Sequence, residues 1–249
     1  LTTDASSGSD EDVSYDFFNE LEGVVPSLQG VDFSACTFVG TIGDDGNYEE
    51  GYHMPPAIAT ALAGAGFQLV NAATDHILDM GLSGLQESVS SLRGEGLEVV
   101  GAYESESSHG AFMADIHGVN VGFLSYTYGT GGMSTADDLW CVDILTSDYM
   151  STQAEVDYDR IDSDIAALKS AGADMVVCYV YWWDSNQYYP QPRQNQTDVA
   201  DHLFAQGVDI IVGGGIKTPQ PIEFREVERA DGSKANCGVM YSLSNLMSC

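Results

Sequence analysis

Apolar positions in this chain follow two rhythms that take turns. "YDFFNELEGVVPSL" (15–28) spaces its apolar side chains three and four apart, the spacing of one helix face. "VDFSACTFVG" (31–40) then reads as a strand. "PPAIATALAGAG" (55–66) opens with prolines suited to a helix N-terminus and closes on glycine, and the strand "FQLVNAA" (67–73) follows. The exchange repeats in the helix "SGLQESVSSLRGEG" (83–96) and the strand "LEVVGAY" (97–103). "GAFMADIHGVNVGFLSYTYG" (110–129) predicts a hairpin turning at His117–Asn120. Beyond a loop come a helix over about 155–172, the strand "DMVVCYVYW" (174–182), a helix over about 193–206 and the strand "VDIIVGG" (208–214). A closing hairpin pairs "PIEFREVER" with "GVMYSLSN" across Asp231-Gly232.

Helices and strands alternating in this order predict an α/β fold with a largely parallel core. No repeat or linker divides the chain, so residues 15–249 are expected to form a single domain. "LTTDASSGSDEDVS" (1–14) is polar and acidic and reads as a flexible lead-in.

Charge narrows the range of partners. Thirty-eight acidic residues stand against eight Lys and Arg, a net charge of -30. Such a field repels nucleic acid and anionic membranes, and it disfavours polyanionic substrates unless a local patch or metal offsets it. It suits a protein in a salty or calcium-containing exterior. No stretch approaches the roughly eighteen consecutive apolar residues of a membrane span. The chain opens on Leu1, which predicts a processed or trimmed product. Its five cysteines have no C-x-x-C spacing, and Cys36 and Cys178 fall inside strand-like runs as buried free thiols would.

The glycine-rich run "VDIIVGGGIKTPQPIEF" (208–224) invites comparison with a phosphate-binding loop. The spacing fails, because Ile216 separates Gly215 from Lys217 where the lysine must follow the glycine directly. "GTGGM" after "YTY" reads as a mobile loop and not a dinucleotide fingerprint, since no helix pattern follows it. Ser125, Ser242 and Ser244 have no histidine placed beside them by sequence. Asn195 opens a glycosylation sequon, relevant only in a glycosylating source.

The ordered set of segments resembles the CapA family of bacterial capsule and poly-gamma-glutamate synthesis proteins. The segments that carry the resemblance are "AGFQLVNAATDHILDMGLSGLQESVSSLRGEGLEVVGAY", "GVNVGFLSYTYGTGG", "DMVVCYVYWW", "VDIIVGGGIKTPQPIEF" and "MYSLSN", spanning about Tyr15 to Asn245. The resemblance implies a calcineurin-like metallophosphatase-type sandwich of two mixed β-sheets flanked by helices. It also implies a first strand, bearing a Gly-Asp pair, that is missing here and would lie just before Leu1.

At the positions where the family resemblance implies metal ligands, this chain departs. The family's Asn-Leu-Glu is Thr37-Phe38-Val39, and its His-Trp-Gly is Tyr181-Trp182-Trp183. Its Gly-His-x-Pro-His turn places Gly214 and Lys217 at the two histidine positions. Its Asn-Asn-His is Thr74-Asp75-His76, with Asp79 and Gly81 retained. Glycine offers no ligand, and an ammonium has no lone pair to donate. His76, Asp75 and Asp79 are the residual metal candidates, and a two-metal hydrolytic centre needs more donors than these. His76 and Asp79 also read as a pair that bonds to each other and caps the next helix.

Two further features are candidate binding elements. Tyr181, Trp182, Trp183, Tyr188 and Tyr189 form an aromatic run suited to a sugar, a peptide or an assembly contact, although alternate strand residues must face the core. "SDEDVSYD" (9–16) and "DDGNYEE" (44–50) offer weak calcium binding, but without EF-hand spacing they read equally as solvated loops. No other cofactor is expected. The expectation is a non-catalytic extracellular or cell-surface bacterial protein that binds a cell-surface polymer or self-associates into oligomers or filaments. The alternatives are an active capsule or poly-gamma-glutamate enzyme using Asp75, His76 and Lys217 as catalytic residues, or a carbohydrate-binding surface protein.

Overall fold

The computed structural model describes residues 15–44, 46, 48, 52–135, 138, 140–147, 149–151, 154–182 and 186–247. The calcium candidates at 9–16 and 44–50 lie largely outside them, as does the lead-in. The chain opens with two short helices, α1 (Phe18–Leu21) and α2 (Val25–Leu28), in place of the one expected over 15–28. Strand β1 (Ala35–Thr37) follows, then the short parallel pair β2 (Thr41–Ile42) and β3 (His53–Met54). Next come α3 (Ala57–Ala65), β4 (Leu69–Asn71), α4 (Gly81–Gly94) and β5 (Glu98–Val100). The hairpin of β6 (Phe112–Ile116) and β7 (Val119–Thr127) turns where the sequence placed it. The remainder is α5 (Tyr158–Ser170), β8 (Met175–Tyr181), α6 (Gln194–Gln206), β9 (Ile210–Gly214), β10 (Ile222–Glu228) and β11 (Lys234–Met240).

These strands build an α/β sandwich. A parallel three-stranded sheet, ordered β1-β4-β5, faces a mixed six-stranded sheet ordered β10-β11-β9-β8-β7-β6. The inner layer between them holds Leu69 and Val100 against Val121, Phe123, Val177 and Tyr179. Helices cover the outer faces. On α4, Leu85, Ser88, Val89 and Leu92 are buried at helical spacing, and Ser88 Oγ accepts the Ile42 amide at 2.7 Å. On the other side, α5 buries Ile161, Ile165 and Leu168, while α6 buries Val199, Ala200, Leu203 and Phe204. Each such Val, Leu, Ile or Phe side chain contributes roughly 1.5–3 kcal/mol on leaving water. The Asp157 carboxylate caps α5 by accepting the Arg160 amide at 3.2 Å.

The two sheets are tied by more than apolar contact. At the end of β4, Asn71 donates to Thr37 Oγ1 of β1 at 3.1 Å and accepts the Ser125 hydroxyl from β7 across the sandwich. It also accepts the Ala73 amide at 3.2 Å, which fixes how the chain leaves the strand. The loops that follow β4, β8 and β9 then come together at the same end of the sandwich.

Candidate functional site

The loop after β4 carries the strongest sequence candidates. Thr74 is buried beneath the Phe38 carbonyl, and the chain then turns so that the Asp79 amide donates to the His76 carbonyl at 3.3 Å. His76 Nδ1 lies 2.8 Å from Asp79 Oδ2, and its Nε2 lies 3.7 Å from Asp75 Oδ2. The imidazole therefore sits between two carboxylates. Tyr52 stacks on its face with ring centroids 3.7 Å apart. The mutual bond of His76 and Asp79 is as the sequence allowed, but neither caps a helix: α4 starts after Met80 and has no side-chain cap.

Asp75 faces Tyr181, the last residue of β8, whose hydroxyl acts on it as a hydrogen-bond donor. Burial raises the Asp75 pKa, against the opposing pull of His76 and that hydrogen bond. The Tyr181 phenol is raised as well, first by burial and then by the Asp75 charge. Asp75 Oδ1 is buried without a hydrogen-bond partner among the described residues. That oxygen retains capacity for a donor or a cation.

Tyr181 is also paired in register with Gly214 at the end of β9. A Cβ at Gly214 would come within 3.3 Å of the Tyr181 ring, so a side chain at 214 would press on that ring. The glycines on either side are needed for a different reason. A Cβ at Gly213 would lie 2.0 Å from the Tyr241 carbonyl oxygen, and one at Gly215 would lie 2.2 Å from that of Trp182. The glycine-rich turn thus lets the β9 backbone pass close to Trp182 and Tyr241. Lys217 follows on a clamped loop: its amide donates to the Gln187 carbonyl at 2.7 Å and its carbonyl accepts Ser244 Oγ at 2.8 Å. Its ammonium forms no ion pair with Asp75 or Asp79, so the three proposed catalytic residues are only partly brought together.

These residues do not fit a two-metal centre. Among the described residues no three His, Cys, Asp or Glu side chains converge to hold an ion. Val39, Gly214 and Lys217 bring no lone pair, and Tyr181 fills space with a neutral ring. What remains is a hydrogen-bonding cluster of carboxyl, imidazole and phenol.

The aromatic run does not form one platform. Trp182 is a core residue, 3% exposed, with its indole N–H donating to the Tyr241 carbonyl at 3.0 Å, which corrects its place among the binding candidates. The reason is strand alternation: Trp182 follows β8 on the helix-covered side. Tyr188 is 69% exposed, and Tyr189 is half-buried beneath the Arg193 guanidinium at 3.7 Å. Trp183 lies outside the described residues.

Sequence reading missed Tyr52, because its segment looks like a solvated acidic loop. It also missed a second polar cluster. There Asp143 accepts the Tyr103 hydroxyl at 2.6 Å and holds His109 Nε2 at 3.0 Å, with Arg160 at 3.5 Å. Tyr126 donates to Asp164 at 2.8 Å beside them. No spacing signal links these positions, which lie on four separate segments.

Comparison with known proteins gives one family and two curated relatives. The family described as "Bacterial capsule synthesis protein PGA_cap" matches residues 2–249. The chain is 26% identical over 200 residues to "Capsule biosynthesis protein CapA" of Bacillus anthracis, covering 76% of this chain and 46% of that protein. It is 24% identical over 208 residues to "PGA biosynthesis protein CapA" of Bacillus subtilis (strain 168), covering 80% and 51%. The chain thus spans about half the length of these relatives. Among solved structures, a hypothetical protein from Thermus thermophilus aligns with a TM-score of 0.49 at 13% identity, covering 88% of this chain and 69% of that one. A 5'-nucleotidase precursor from the same organism aligns at 0.41 and 13% identity, covering 76% and 35%.

Proposed function

Because the chain belongs to the bacterial capsule synthesis protein family, we propose that it serves a capsule or poly-gamma-glutamate system at the cell surface as a non-catalytic binding or self-assembling protein. The observation that carries this reading is the paired exchange at Tyr181 and Gly214. A side chain at 214 would press on the Tyr181 ring, and the Tyr181 hydroxyl donates to Asp75. The purified chain is expected to carry no stoichiometric transition metal and to lack phosphatase turnover. Elemental analysis finding about two manganese, iron or zinc ions per chain would sink the reading. Gly214→His alone meets the Tyr181 ring. Gly214→His with Tyr181→His and Lys217→His removes that obstruction and is expected to gain zinc or manganese affinity by calorimetry. A folded triple variant with no gain would mean that these loops do not converge as ligands must.

A second reading keeps the chain as a metal-independent enzyme of the same system, with Asp75 and His76 as its acid–base pair. The unpartnered Asp75 Oδ1 favours it. Turnover of poly-gamma-glutamate that is lost in His76→Ala would decide for it.

A further inference from the structure

The glycine-rich run after β9 ends in a Lys-Thr pair, 217–218, whose donors no described residue takes up. The glycines before it serve the close passage of the backbone by Trp182 and Tyr241, so they do not wrap a phosphate. The turn itself is held from several sides. Ile216 is buried and its carbonyl accepts Ser242 Oγ at 2.7 Å, while the Lys217 amide and carbonyl are bonded to Gln187 and Ser244. Gln220, also buried, donates to the carbonyls of Tyr189 and Gln191 at 3.0 Å each and accepts from Gln196. What stays unspent is a set of donors. The Lys217 ammonium, the Thr218 amide and the Thr218 hydroxyl make no ion pair or hydrogen bond with any described residue. Both side chains are half-buried.

An ammonium without a partner is out of place on this molecule, where 38 acidic residues stand against eight Lys and Arg. Five of the eight reach a carboxylate, Lys169 donates to the Gln206 carbonyl at 2.9 Å, and Arg193 lies over the Tyr189 ring. Among the described residues Lys217 alone has neither counter-charge nor acceptor, and partial burial makes that costly. We propose that Lys217 and Thr218 bind an oxyanion group of a ligand, carboxylate or phosphoryl, between the ammonium, the hydroxyl and the amide. All three are donors, and charge-assisted hydrogen bonds to an anionic oxygen are the strong ones. A backbone fixed on both sides of the pair lowers the cost of ordering it on binding. The charge of -30 does not forbid the ligand, because in about 0.15 M salt the screening length is about 8 Å and the nearest groups decide. The turn follows the register pair of Tyr181 and Gly214, so the bound group stands at the same end of the sandwich as Asp75 and His76. The inference extends the reading of a metal-free binding protein by giving it an anion-holding turn.

The test uses the 249-residue chain, stripped of metal by dialysis against a chelator and returned to chelator-free buffer. Sodium phosphate and sodium glutarate are titrated separately at constant ionic strength, and the amide resonance of residue 218 is followed by NMR. A saturable shift is expected with a dissociation constant on the order of 1 mM, and the tighter probe distinguishes a phosphoryl from a carboxylate ligand. Lys217→Met is expected to weaken binding at least about tenfold and Thr218→Val at least about threefold. Lys234→Met removes the same charge at the far end of β11 and is expected to leave binding unchanged. No saturable shift up to about 50 mM of either probe overturns the proposal, as does undiminished binding in Lys217→Met or Thr218→Val. Equal weakening in Lys234→Met also overturns it, since the effect is then one of net charge. Lys217→Gln replaces Lys217→Met if the latter does not fold, and failure of both to fold overturns the proposal by giving the ammonium a structural role. Binding seen before but not after the metal is stripped overturns this proposal together with the metal-free reading. A metal-free chain that binds neither probe overturns this proposal alone.

Discussion

Asp75 is a carboxyl held where its charge is poorly solvated, with one oxygen unpaired and a phenol on the other side. Its folded pKa stands above the unfolded value. The stabilisation tied to the protonated form is therefore complete below the unfolded carboxyl range and is lost as pH rises through the folded value. Asp75→Asn carries no charge to bury. Its stability relative to the parent should improve in urea unfolding as pH rises from the unfolded carboxyl range through the folded value of Asp75. A gap independent of pH would mean that the carboxylate is adequately solvated. At this scale the sequence is informative when identity alone decides: Gly214 has no side chain to ligate with, and the Lys217 ammonium has no lone pair. Tyr52 was not legible, because what a ring touches depends on which layer covers it, whereas strand alternation already put part of the aromatic run in the core.

Among the elements, the segment from Tyr103 to His109 is fastened to the body through Asp143, which also engages Arg160 of α5. His109 has a raised pKa, chiefly from its hydrogen bond to Asp143, helped by the Asp143 and Asp164 charges and opposed by burial and by Arg160. A raised histidine contributes stability that is full below its unfolded value of about 6.5 and fades as pH rises through the folded value. Amides of residues 105–110 should therefore exchange faster at about pH 8 than at about pH 6 after correction for intrinsic rates, and His109→Gln should flatten that difference. Because the imidazole is partly exposed, solvent screening keeps the effect local. Periodicity predicted the β6–β7 hairpin and helices α3 to α6 within a few residues. It placed the last strand late, since "SKAN" is polar; β11 begins at Lys234 because pairing with β10 needs no apolar side chain there. The first helix splits near Gly23, a residue that favours breaks over continuous helix.

For the molecule as a whole, a charge of -30 on 249 residues is a standing self-repulsion. Screening shortens its reach, so the melting temperature should rise as sodium chloride goes from about 0.05 M to about 1 M. A calorimetric midpoint indifferent to salt would mean that the acidic groups are spaced too widely to oppose folding. Alternating helices and strands are enough to predict an α/β molecule, because both periods are written locally. The unequal widths of the two sheets are not written anywhere locally. They emerge from which strands pair with which, three in one sheet and six in the other.

The core position of Trp182 has an optical consequence. Its indole, shielded and donating to a carbonyl just past β11, should emit to the blue of a hydrated indole while the ends of β8, β9 and β11 remain together. With Trp140 and Trp183 replaced by Phe, its fluorescence becomes a gauge of the seam between the last strand and the interior, reading the closure of the sheet without any attached label.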